Sequence, residues 1–203
     1  MKLKKRIMAC VVAAAVVVTS AVTAMAAGSI DKDGKADGYK VEVVNENTPA
    51  YQEVQKTYEV LPPAILAVNK GDYKMKDFIA DMIKEAGQNT KLTEAAKENL
   101  TQIAEKLEGT EFVTAFYSLT EDENSDVKVE KTEDGKYKVT LTVQNLTKDL
   151  KGLKVLAYNA AKGEWEIVEI PADAINLEDH TVTITLEDIS LFSIISDDPA
   201  AAK

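Results

Sequence analysis

The sequence carries one cysteine, Cys10, one arginine, Arg6, and one histidine, His180. Each scarcity excludes something. Beyond residue 10 there is no cysteine, so no disulfide can hold the fold and packing alone must do so. Thiolate metal sites and cysteine nucleophiles are excluded with it. Beyond Arg6 there is no arginine, and so no planar fork to clamp a carboxylate or a phosphate in bidentate fashion. A Ser-His-Asp triad or a zinc site would have to use His180. That residue falls in a predicted turn beside Asp179, with no G-x-S-x-G nucleophile motif in the chain, and reads as structural.

Positive charge is also scarce. The chain has a formal net charge of −10, and four of its basic residues (Lys2, Lys4, Lys5 and Arg6) stand together at the start. They precede an apolar run from about Ile7 to Ala24 and the small-x-small triplet Ala24-Met25-Ala26. This is the pattern of a secretory signal peptide over 1–26, cleaved after Ala26. An uncleaved membrane anchor is the rival reading, because the run is almost long enough to span a bilayer. Lipidation is disfavoured, because Cys10 lies at the front of the apolar run and not after it. Removing four basic residues and no acidic one takes the charge from −10 to −14. With that charge and no basic patch, neither nucleic acid nor an anionic lipid surface is an expected partner. The acidity reads as solubility, with cation binding as the alternative.

Residues 27–39 are small, polar and glycine-containing, and predict a flexible spacer. The stretch 39–44 suits a short strand. Thr48 and Pro49 predict a helix start, Tyr51, Val54, Tyr58 and Leu61 recur at helical spacing, and Pro62-Pro63 predicts its end. A second helix is expected from near Asp72, with Met75, Phe78, Ile79, Met82 and Ile83 on one face and Gly87 at its C-terminal stop. A third is expected over Thr93–Glu108, with Leu92, Ala96, Leu100, Ile103 and Leu107 as its stripe and Gly109 closing it. The stripes suit core packing, or a groove for a partner helix.

After Gly109 the period changes to two. Seven strands are expected, at 111–119, 126–131, 136–143, 153–159, 164–170, 181–188 and 191–196. The predicted fold class is α+β: a helical region over 40–109, then a seven-stranded antiparallel Ig-like β-sandwich over 110–198, then a tail over 199–203. In 136–143, Tyr137, Val139, Leu141 and Val143 point one way and Lys138, Thr140 and Thr142 the other, a core face and a water face.

The segments GKYKVTLTVQNL, LKVLAYNAAKGEWEIVEI and TVTITLEDISLFSIIS together resemble a recurrent module of secreted and surface proteins of gut Firmicutes. The resemblance spans about 90 residues of the second half. In that family a Val-Leu-His-Tyr-like strand precedes a turn and a tryptophan strand, and a Ser-Pro-Phe-like segment closes the domain. Here Ala157 stands where the histidine is usual, Trp165 holds the tryptophan place, and Ser190-Leu191-Phe192 replaces Ser-Pro-Phe. The resemblance implies a non-catalytic surface module, usually of unknown role. With Ala157 and Leu191 departing from the pattern, no family site is carried over.

Several residue groups invite chemistry. Asp122, Asn124, Asp126 and Glu133 imitate the ligand spacing of an EF-hand calcium loop. Against it, Val127 stands where the sharp turn requires glycine, and 126–131 alternates like a strand. Asp31, Asp33 and Asp37 make a second acidic cluster, inside the spacer. Glu164, Glu166 and Glu169 surround Trp165. A glycosidase needs two carboxylates on different elements facing a cleft, whereas these sit on one strand. Trp165, Tyr158 and Tyr117 either fill the core or, if exposed, form a sugar-stacking platform.

The inventory therefore points away from an enzyme and requires no cofactor. The expected function is a secreted, non-catalytic extracellular or cell-envelope module that binds or scaffolds an extracellular protein or a glycan. A carbohydrate-binding module using exposed aromatics is the alternative, and a carboxylate-based hydrolase is a third reading.

Overall fold

The computed structural model describes Ala36, residues 38–189 and residues 191–197. The leader, Cys10, the Asp31–Asp37 cluster, Ser190 and the tail lie outside them. Within the described residues the order is β1 (Tyr39–Val43), α1 (Pro49–Thr57), α2 (Leu61–Asn69), α3 (Met75–Gln88), α4 (Glu94–Leu107), β2 (Thr110–Phe112), β3 (Tyr117–Glu121), β4 (Tyr137–Thr142), β5 (Lys154–Asn159), β6 (Glu164–Glu169), β7 (Ile175–Asn176), β8 (Thr181–Leu186) and β9 (Leu191–Asp197). The class is α+β, with two antiparallel sheets. One runs β1-β3-β9-β5-β6 with β2 also on β9, and the other runs β4-β8-β7.

Three layers result. The six-stranded sheet is the middle one, with the helices on one face and the three-stranded sheet on the other. The side-chain alternation of a strand explains how. Leu156, Tyr158, Trp165, Leu191 and Ile195 point into a core shared with α1–α4. Their neighbours Val155, Ala157, Phe192 and Ile194 point into a second core, shared with Val139, Leu141, Val182 and Ile184 of the smaller sheet. A sheet covered on both faces reads as a continuous apolar run, and β9 is buried at every position except Asp197.

The strands depart from the seven expected. Those over 136–143, 153–159, 164–170, 181–188 and 191–196 form within a residue or two of expectation. The 111–119 run is split into β2 and β3, because Val113 and Thr114 both donate to the single carbonyl of Ile194, as in a bulge. The 126–131 run forms no strand. It makes one bridge, Lys131 to Tyr137, and Lys138 N–H donates to the Glu130 carbonyl at 3.0 Å. β7 is an addition, and β1 joins the main sheet by pairing with β3 from Tyr39↔Glu121 to Val43↔Tyr117. The end of the expected spacer is packed as well, since Ala36 and Tyr39 are buried in the inter-sheet core.

The helices also differ at their ends. Pro62 and Pro63 do not terminate a helix; they open α2. A proline in the first turn lacks an N–H that has no helical acceptor there. α1 stops at Thr57, with Tyr58 extended. Gly87 lies inside α3, not beyond it, and α3 begins at Met75, three residues after Asp72. Thr93 does cap α4: its hydroxyl accepts from Ala96 N–H at 3.2 Å. Gly109 follows with φ 72, a left-handed conformation that glycine adopts without steric cost.

Candidate functional site

The three aromatics proposed as a platform are interior. Trp165 is 1% exposed, Tyr158 2% and Tyr117 0%. Trp165 and Tyr158 lie in the helical core, in a cluster with Phe78, Phe116 and Tyr58. Ring centroids are 5.8 Å apart for Trp165–Phe78 and 5.5 Å for Trp165–Tyr158. Tyr117 faces the opposite core against Phe192 at 6.2 Å. Burial leaves none of their ring faces to a sugar, and β3 and β5 turn Tyr117 and Tyr158 to opposite sides of the sheet. They are core residues.

The calcium reading does not assemble either. Asp122 follows β3 and accepts from Asn124 N–H at 3.0 Å, as in an ordinary Asx turn. Asn124, Asp126 and Glu133 are exposed. Among the described residues no group of three or more His, Cys, Asp or Glu side chains could hold a metal ion. His180 sits at a turn with φ 53, and its Nδ1 lies 3.1 Å from the Leu146 carbonyl oxygen.

Glu164, Glu166 and Glu169 take different surroundings. Glu169 is exposed at the end of β6, while Glu166 is half-buried on the face turned to the smaller sheet. The Oε1 atom of Glu166 is buried and has no hydrogen-bond partner. Burial raises its carboxyl above the ordinary glutamate value and Glu187 adds to the rise, while Lys162 opposes it. The carboxylates that act on it from the end of β8 are Glu187, which is paired with Lys162, and Asp188, which accepts from the Ala160 N–H.

The surface feature that stands out is a groove of about 560 Å³ between β6 and β8. The smaller sheet has three strands against six, and it does not cover the β6 side of the larger one. Its lining is mixed: the part-exposed Val168, the buried Val155, Ile170 and Ile184, the polar Thr183 and Thr185, and Glu169, Asp173 and Lys138 at the rim. The sequence reading missed this groove. The strands themselves were visible, but the order in which they pair was not, and the gap comes from that order.

β6 is the last strand of its sheet. Ile170 N–H donates to Leu153 O, so alternate residues Glu166 and Val168 also bond toward β5. Trp165, Ile167 and Glu169 then turn their backbone groups outward. At Trp165 the edge is closed by Asn99 of α4, whose side-chain amide bonds both the N–H and the C=O at 3.0 Å. At Ile167 and Glu169 no described strand or side chain does so. On the far side, β7 pairs with β8 at Thr181 and Val182 alone, leaving the stretch to Leu186 without a strand on that side.

No protein-family model matches the chain, and no curated protein or solved structure matches it. Among the described residues no helix is long and apolar enough to cross a membrane.

Proposed function

We propose that the chain is exported and acts outside the cell as a non-catalytic binding or scaffolding module. Export rests on the leader pattern at 1–26. The single observation that carries binding is the groove between β6 and β8 beside an open strand edge. The two packed antiparallel sheets are read as an Ig-like sandwich, with the helical layer added to it. The segments resembling the surface module of gut Firmicutes supply β4, β5, β6, β8 and β9, of which all but β9 line the groove. The secreted chain, incubated with cell walls purified from its source at low and high salt, tests the reading. Its acidity repels an anionic wall, so retention that survives high salt supports a specific wall ligand. Full recovery in the supernatant, together with no partner captured from the growth medium, overturns the binding role.

A further inference from the structure

We infer that the groove between β6 and β8 accepts an extended segment of another protein, which adds as a strand to the open edge of β6 and carries apolar and basic side chains in alternation. The inference deepens the binding role proposed above and rests on it.

Three observations meet here. The outward N–H and C=O groups of Ile167 and Glu169 lie two residues apart on one edge, at the repeat a paired strand presents. An exposed strand edge is a template for another chain unless it is covered or guarded. Here Asn99 covers the edge at Trp165 and leaves it open from Ile167 onward. Second, the floor beside that edge presents the part-exposed Val168 of the larger sheet, with Val155 and Ile184 lining it from buried positions. A strand laid along β6 would point every second side chain into that floor, which is how strand addition gains specificity.

The third observation is charge. Glu169 and Asp173 stand exposed at the rim against a single half-buried lysine, Lys138. On an incoming strand whose apolar side chains take the Val168 face, the basic ones take the other face, where Glu169 lies. A second copy of this chain does not supply them: it would bring Glu169 and Asp173 against themselves, in a protein of net charge −10. The occupant is therefore a partner with basic residues and not another protomer.

The probe is a labelled peptide, Lys-Val-Lys-Val-Thr-Val-Lys, titrated into the whole secreted chain and followed by fluorescence anisotropy. Two further versions carry N-methyl groups on the odd or on the even residues, which leaves every side chain in place and blocks one backbone edge at a time. Saturable binding is expected for the parent and for one methylated version, with the other weakened at least tenfold. Replacing Glu169→Pro removes one outward N–H at an edge where proline is tolerated, and is expected to weaken the parent peptide by a similar factor. Glu169→Gln, which keeps that N–H, is expected to weaken it less. Equal binding of both methylated versions would mean attraction by charge alone and overturns the inference. So does failure of the parent to saturate at millimolar concentration, or a dimer in sedimentation that Glu169→Pro dissolves. Retention on cell walls without peptide binding would overturn this inference and leave the broader binding role standing.

Discussion

Glu166 carries a negative charge to a half-buried place where an oxygen finds no donor. Burial, with Glu187 second, raises its carboxyl above the usual glutamate value, so the neutral form is favoured in the folded protein. A raised value gives stability that is present below the ordinary glutamate pKa and is lost as pH rises through the folded value. At neutral pH the ionised Glu166 therefore weakens the fold. Glu166→Gln keeps the shape and removes the charge. Its urea midpoint should exceed that of the wild type at pH 7, and the gain should vanish below about pH 4, where the carboxyl is protonated in both states. An equal or lower midpoint at pH 7 would show that Lys162 already compensates the charge. The residue type was legible in the sequence, as one of three glutamates around Trp165. Its burial was not, because it depends on which strand of another sheet stops short of it. The same holds for Trp165 and Tyr158: the alternation of β5 and β6 puts each on a definite face, but a helical layer covering that face cannot be read from a period of two.

Among the elements, α2 shows most directly where local signals stop. Its sequence LPPAILAVN opens with two prolines, and a helix ending there is the natural reading of the pattern. What permits a start instead is distant in sequence. Glu85, fully buried on α3, accepts from the backbone N–H groups of Glu59, Val60 and Leu61, with Glu59 at 3.0 Å and Leu61 at 3.2 Å, and also from the Asn89 side chain at 2.7 Å. A carboxylate here satisfies the unpaired donors and the positive end of the helix dipole together. Glu85→Ala leaves those donors buried without partners and should cost about 3 kcal/mol in urea unfolding, and Glu85→Gln about half of that. A loss under 1 kcal/mol for the alanine variant would mean that water reaches the same N–H groups. Helix α4 was legible because its apolar stripe and the caps at Thr93 and Gly109 are local, whereas in α3 the stripe holds for Met75, Phe78 and Met82 but Ile83 is 56% exposed and Gly87 does not end the helix. The split of 111–119 was not, because it is imposed by Ile194, some eighty positions on. The 126–131 segment alternates well enough for a strand, yet only Val129 packs against the inter-sheet core, while Val127 is exposed.

At the scale of the molecule, the middle sheet makes one folding unit of two cores. A helical region over 40–109 and a sandwich over 110–198 would be separable if each had its own interior. But the helical core is completed by Leu156, Trp165, Leu191 and Ile195 from the sheet, and the inter-sheet core takes Val155, Phe192 and Ile194 from the same strands. β1 closes the connection, since a strand that precedes every helix pairs with β3, which follows them all. Damage on either side should therefore lower the same transition. Leu100→Ala on α4 and Leu141→Ala on β4, each fully buried in wild type, should each cost about 2–5 kcal/mol. Trp165 fluorescence reports the helical side, and far-ultraviolet circular dichroism reports both sides. The two signals should give coincident urea midpoints in wild type and in both variants, as a two-state unit requires. If Leu141→Ala moved the dichroism while the Trp165 midpoint stayed in place, the sheets would be unfolding apart from the helices. A strand shared by two interiors makes that outcome costly: once β5 and β9 lose the smaller sheet, Val155, Phe192 and Ile194 face water on strands that must still hold the helices.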